Sequence, residues 1–268
     1  MSILEAIVLG IIQGLTEFLP VSSSGHLELG KALLGLSGED GAGLLFTIVV
    51  HAATALATVV VYRKDIADIF KGLFRWSWNE ESIFAAKIVV SMIPAAFVGL
   101  FFNEEIELLF EGQVLLVGGM LIITGLLLFL ADRAKKTHRA VTFTDATVVG
   151  ISQAIAILPG ISRSGATIAT SVLLGIDRDK AARFSFLMVV PLVLGKAILE
   201  AKDLAAQPEA IQTASFAPMI VAFMAAFVSG IIACRWMISL VKKARLRYFA
   251  YYCFAVGFLA LLATWLQR

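Results

Sequence analysis

The sequence is short of charge. Only 16% of its 268 residues are Asp, Glu, Lys or Arg, against 59% apolar residues, whereas soluble domains carry about a quarter charged residues. That shortage excludes an ordinary water-soluble domain and leaves an integral membrane protein. The net charge of +2 is too small to suggest a nucleic-acid partner, so the placement of charge along the chain says more than its sum. Cysteine is scarce too: Cys234 and Cys253 both lie inside apolar runs. Neither a disulfide framework nor a thiolate metal site is supported, and both read as small hydrophobes. No cleavable leader is expected either, because the first residues lack a basic stretch.

What the chain has instead is long apolar runs. A crossing needs about 20 apolar residues, and the stretches 44–62, 84–102, 113–131, 182–199, 215–234 and 248–266 qualify. Two further apolar segments, 146–158 and 165–176, lie between Asp145 and Asp177; at 1.5 Å per residue each would reach only about 20 Å, enough to enter a bilayer but not to cross it. They flank QAIAILPGISRSGAT at 153–167, which echoes QGLTEFLPVSSSGH at 13–26. At a spacing of 140 residues, Gly10, Gln13, Ser22, Ser24, Gly25 and Leu33-Leu34-Gly35 recur as Gly150, Gln153, Ser162, Ser164, Gly165 and Leu173-Leu174-Gly175. Leu19-Pro20 recurs as Leu158-Pro159, one residue out of step. The repeat divides the chain into 1–138 and 139–268.

Each half is then a re-entrant helix-turn-helix hairpin followed by three crossings. Backbone groups freed at a broken helix are tolerated only where they are buried in protein or line a wet cavity, so both breaks should face inward. An odd number of spans per half inverts the second half relative to the first. The expected fold is therefore an all-α integral membrane protein with an inverted-topology repeat, six transmembrane helices and two re-entrant hairpins, a layout that brings the breaks together near the midplane. On that topology 63–83, 132–148, 176–183 and 235–247 share one side and carry sixteen of the 22 basic residues, while the other side holds acids such as Glu104, Glu105, Glu107 and Glu111. Cytoplasmic loops collect Lys and Arg, so both termini are expected outside. The linker 132–148 reads as a topology signal, and 71–81, with Trp76 and Trp78, as an interfacial connection.

The copies differ most in their ionisable groups: Glu17, Ser23 and His26 of the first motif face Ile157, Arg163 and Ala166 of the second. Serines in both motifs would cap restarting helices, and two positive helix ends aimed at one cavity favour an anion. With Arg163 and a divalent cation on Glu17 the charge sums to about +3, which suits a diphosphate ester. Glu17 costs about 2.5–3.5 kcal/mol at membrane depth, which marks it as functional. Together with the carbonyl of Gln13, one turn earlier, it would give magnesium, or calcium in its place, oxygen ligands beside substrate phosphates. An ion pair between Glu17 and Arg163 is the structural alternative. Ser23 and His26, three residues apart on one helix face, suit a nucleophile or positioned water with an adjacent base.

These motifs, EFLPVSSSGH at 17–26 and PGISRSGAT at 159–167, resemble the two signatures of the BacA-type undecaprenyl-diphosphate phosphatases, and the likeness covers essentially the whole chain. The resemblance implies hydrolysis of undecaprenyl diphosphate to undecaprenyl phosphate and phosphate at the outer face of a bacterial inner membrane. That reaction recycles the lipid carrier for peptidoglycan and other wall polymers and is linked to bacitracin resistance. It implies catalytic roles for Glu17, Ser23, His26 and Arg163, metal binding by Gln13 and Glu17, and substrate contacts from Ser22, Ser24, Gly25, Gly160, Ser162, Ser164 and Thr167. The partners expected are a polyprenyl diphosphate, the membrane and, as an option, a second copy of the chain. A transporter or flippase of polyprenyl phosphate or small anions is the alternative function, since inverted repeats with broken helices also build transporters.

Overall fold

A computed structural model describes residues 1–36, 41–75, 77–102, 114–205 and 216–266, with the side chains of 28, 32, 41–44, 114, 196–205 and 266 left aside. Among the described residues the chain is helical, with no strand. The helices are α1 (Ile3–Phe18), α2 (Ser23–Leu33), α3 (Gly41–Val61), α4 (Arg63–Phe74), α5 (Glu80–Phe101), α6 (Val114–Arg133), α7 (Phe143–Ile155), α8 (Arg163–Leu173), α9 (Arg178–Ala205), α10 (Phe216–Lys242) and α11 (Arg247–Leu266). Among the described residues four of them, α5, α6, α10 and α11, are long and apolar enough to cross a membrane, and α3 with α4, bent by 76° at Tyr62, would make a fifth if the pair were one span. Along α10, Ile220, Met224, Val228 and Ile232 recur every four residues and are all exposed. A continuous apolar stripe of that kind suits lipid rather than water. The chain is an all-helical, multi-pass integral membrane protein.

Helix α4 has no counterpart among the expected elements. Its 12 residues are amphipathic, and only Tyr62 separates them from the apolar run before, so hydropathy alone reads them as a loop. Trp78 is exposed, whereas Trp76 and the acids Glu104, Glu105, Glu107 and Glu111 lie outside the described residues.

The chain forms two compact units. The first comprises Met1–Phe18, Ser23–Val61 and Val189–Trp236. Its core gathers Ala6 and Leu9 of α1, Leu27 of α2, Phe46, Val50 and Ala53 of α3, and Met219, Ala222 and Ala226 of α10. Helix α1 lies so close to α10 that a Cβ on Gly10 would sit 2.6 Å from the Ala222 carbonyl oxygen.

The second unit comprises Leu19–Ser22, Tyr62–Met188 and Met237–Arg268. Within it α6 packs against α11 and α8, and α5 against α4 and α7. Gly150 of α7 meets α5 as Gly10 meets α10: a Cβ there would fall 2.5 Å from the Ser91 carbonyl oxygen. Arg183 of α9 forms an ion pair with Asp65 of α4 and lies over the Phe84 ring of α5, 4.8 Å from its centroid. The linker before α7 makes structural contacts of its own. Arg139 donates to Asp145 Oδ1 (2.9 Å) and to the Leu174 carbonyl (2.6 Å), so one guanidinium holds the start of α7 and the end of α8.

Helix α7 starts three residues before the expected segment, because Thr142 and Asp145 form a capping box, and it ends at Ile155, four residues before Pro159. Helices α2 and α8 stop alike. Leu36 N–H donates to the Lys31 carbonyl and Ile176 N–H to the Ser171 carbonyl, with Gly35 at φ 69° and Gly175 at φ 80°, a Schellman close in both. Helix α10 closes the same way with Ala244 in the left-handed position, φ 52°.

Candidate active site

The first broken helix places three of the expected residues in contact. Gln13 and Glu17 are one turn apart on α1, and the Gln13 amide Nε2 donates to Glu17 Oε2 at 3.1 Å. A four-residue link, Leu19–Ser22, then reverses the chain into α2, and Ser23 Oγ donates to the same Oε2 at 2.8 Å. Ser22, in that link, is buried and takes a left-handed backbone, φ 70°. It therefore departs from the extended capping conformation expected of it. Ser24, Gly25 and His26 fall in the first turn of α2, with His26 three residues beyond Ser23 on the same helix face.

This arrangement does two things chemically. The Ser23 proton already points at a carboxylate, the geometry in which a hydroxyl is activated as a nucleophile or orients a water. The donor set also fits a hard cation. Gln13 is fully buried, and its Oε1 has no hydrogen-bond partner among the protein groups, so a carbonyl oxygen remains unsatisfied one helical turn from a carboxylate. Among the described residues no three His, Cys, Asp or Glu side chains gather. A metal here would take one carboxylate and one amide oxygen from the protein and the rest from phosphates and water, which is the habit of magnesium.

The second broken helix builds the other set. Ser162 has the extended backbone of an N-cap, φ −77° and ψ 118°, and its Oγ accepts from the Gly165 N–H, as expected. Arg163 opens α8. Ser162 and Ser164 hydroxyls lie 3.3 Å apart. Gly160, one residue after Pro159, is left-handed at φ 90°, as Ser22 is two residues after Pro20 in the first motif. Thr167 Oγ1 donates to the Arg163 carbonyl at 2.9 Å.

Backbone groups at the breaks find partners inside the second unit. Thr124 of α6 accepts from the Ser162 N–H at 3.1 Å and donates to the Gly160 carbonyl at 3.5 Å. Ser164 Oγ donates to the Leu19 carbonyl at 3.4 Å, and the Cys253 thiol to the Pro20 carbonyl at 3.4 Å. A Cβ on Gly165 would lie 3.1 Å from the Pro20 Cβ, so the link Leu19–Ser22 rests on the start of α8. Sequence reading missed Thr124 and the polar contact of Cys253. Both sit in apolar helices, and the available signal was weak: a lone hydroxyl or thiol inside a span, where polar groups find partners.

Lipid-facing helices and two proline-marked helix breaks, one with an acid and a hydroxyl in contact and the other with a capped helix start opened by an arginine, define a membrane-embedded protein with polar groups at its helix breaks. The particular family follows from comparison. The chain matches the family described as bacitracin resistance protein BacA over residues 6–259, and it belongs to that family. It is 59% identical over 267 residues, 100% of both chains, to a protein of Christiangramia forsetii named undecaprenyl-diphosphatase. It is 48% identical to one of that name from Bacteroides fragilis (98% of each chain), and 37% identical to one from Oceanobacillus iheyensis (97% of this chain, 96% of the relative).

Proposed function

We propose that this chain is an enzyme that hydrolyses undecaprenyl diphosphate to undecaprenyl phosphate and inorganic phosphate, returning the lipid carrier to cell-wall synthesis. The observation that carries the reading is the Ser23 hydroxyl donating to Glu17 Oε2 in a chain of this family. Ser23 Oγ, or a water it orients, attacks the terminal phosphorus. Its proton passes to Glu17 or His26, and the bond from phosphorus to the bridging oxygen breaks to release the lipid monophosphate. If Ser23 attacks directly, water then cleaves the phosphoserine. Arg163 offers forked donors to the diphosphate, with Ser162, Ser164, Gly160 and Thr167 shaping that end and Ser22, Ser24 and Gly25 the other. Gln13 and Glu17 hold the divalent cation, magnesium or calcium, which when bound offsets phosphate charge.

The site opens to the outer face of the inner membrane in this reading. The hairpins α1–α2 and α7–α8 are re-entrant, α3, α5, α6, α9, α10 and α11 cross, and the halves 1–138 and 139–268 are inverted copies. The bias of basic residues to 63–83, 132–148, 176–183 and 235–247 supports termini on the outside. A homodimer is compatible with this reading, and the roles assigned above all fall to one chain.

The test is purified protein with undecaprenyl diphosphate. Phosphate release should be chelator-sensitive and fall by 100-fold or more, about the contribution of an acid–base group, in both Ser23→Ala and Glu17→Gln. Full activity in both variants would end the reading. Movement of the lipid across vesicles without phosphate release would favour the transporter instead.

A further inference from the structure

We propose that Ser185 of α9 is a positioning residue for Arg163, acting through Thr167; this rests on the phosphate-binding role given to Arg163 above. Thr167 Oγ1 donates to the Arg163 carbonyl (2.9 Å), with the Ser164 carbonyl also in range (3.4 Å). Thr167 and Ser185 hydroxyls are also in short contact. A hydroxyl has one proton and two lone pairs. With the Thr167 proton on a carbonyl, Ser185 must be the donor in that contact. The order is therefore Ser185 O–H to Thr167 Oγ1, and Thr167 O–H to the Arg163 main chain.

Both hydroxyls are 1% exposed, so no solvent competes for them, and a buried pair of this kind loses heavily when one member is removed. The anchor is stiff. Ser185 lies between Phe184 and Phe186, both buried, two residues after Arg183, which is tied to Asp65 and stacked on Phe84. At the other end Arg163 is the first residue of α8, where the ladder leaves the backbone least constrained. The second hydrogen bond on its carbonyl steadies the Arg163 main chain, and with it the Cα–Cβ direction from which the guanidinium is carried. Where Arg163 holds the diphosphate equally in the bound substrate and in the transition state, loosening it raises KM and leaves kcat largely unchanged.

A double-mutant cycle tests this. Ser185→Ala should raise KM for undecaprenyl diphosphate about tenfold, the size of one buried hydrogen bond, with kcat changed less. Ser185→Cys, which keeps a weak donor in a slightly larger side chain, should fall between. In an Arg163→Lys background, which should itself raise KM, adding Ser185→Ala should cost less than about twofold, because the group being positioned is gone. The proposal is overturned if Ser185→Ala and Ser185→Cys lower only the unfolding temperature and leave KM unchanged, or if Ser185→Ala costs the same factor with Lys at 163 as with Arg. Wild-type KM in Arg163→Lys alone would instead overturn the role of Arg163, and this inference with it.

Discussion

One oxygen carries the local chemistry of the first motif. Glu17 Oε2 accepts from both the Gln13 amide and the Ser23 hydroxyl, so a change at Glu17 disturbs three groups together. Glu17→Gln should therefore cost more turnover than Gln13→Ala, a ranking that phosphate-release assays on the two variants would check. Gln13→Glu should act the other way on the metal. A second carboxylate beside Glu17 should lower the magnesium concentration for half-maximal activity several-fold, readable by titration after chelation. At this scale the sequence was informative, because Glu, Ser, His and Arg are expensive in an apolar chain and call attention to themselves. Ser185, Thr124 and Cys253 were not legible. Each is an ordinary residue in an apolar run, and its partner lies 18, 38 or 233 positions away along the chain.

Helix ends and helix crossings were partly legible. Proline and small residues marked both breaks, but the start of α7 needed the Thr142–Asp145 box, and α4 was hidden by its shortness. That box gives a pH dependence with a definite sign. Burial opposes ionisation of Asp145, but hydrogen bonds from the Thr142 side chain and backbone, together with Arg139, outweigh it and hold the carboxyl below its ordinary range. A depressed carboxyl contributes stability above its unfolded pKa, about 3.9, and loses it as pH falls through the folded value. Thermal unfolding in detergent should show an acid-side loss of stability, between about pH 4 and lower, that is blunted in Asp145→Asn. At neutral pH the same variant should be less stable by about 0.5–2 kcal/mol, the range for a lost helix cap. At the crossing of α5 and α7, Gly150→Val should cost about 1–3 kcal/mol or more, the penalty of overpacking, because its Cβ would meet backbone at Ser91.

For the molecule as a whole, apolar length and the shortage of charge were enough to identify a multi-pass helical membrane protein, while compact units could not be read from sequence. Both units draw on both halves of the chain: Val189–Trp236 joins Met1–Phe18 in one, and Leu19–Ser22 joins Tyr62–Met188 in the other. Hydropathy and repeats are properties of contiguous stretches, so they carry no record of such interleaving. Fragments 1–138 and 139–268 made separately should each lack phosphatase activity, and co-expression should restore it, as measured in membranes from cells making one fragment or both.

Among the described residues, two besides glycine hold a backbone shape that side chains resist. Ser22 and Ala244 both adopt left-handed φ, at about 1–2 kcal/mol each for a residue with a Cβ. Glycine at 244 should simply give a hardier protein with unchanged turnover. Glycine at 22 should harden it too, yet slow it, since the turn that delivers Ser23 to Glu17 would be free to wander. Durability and speed thus trade against each other at one of these bends and not at the other.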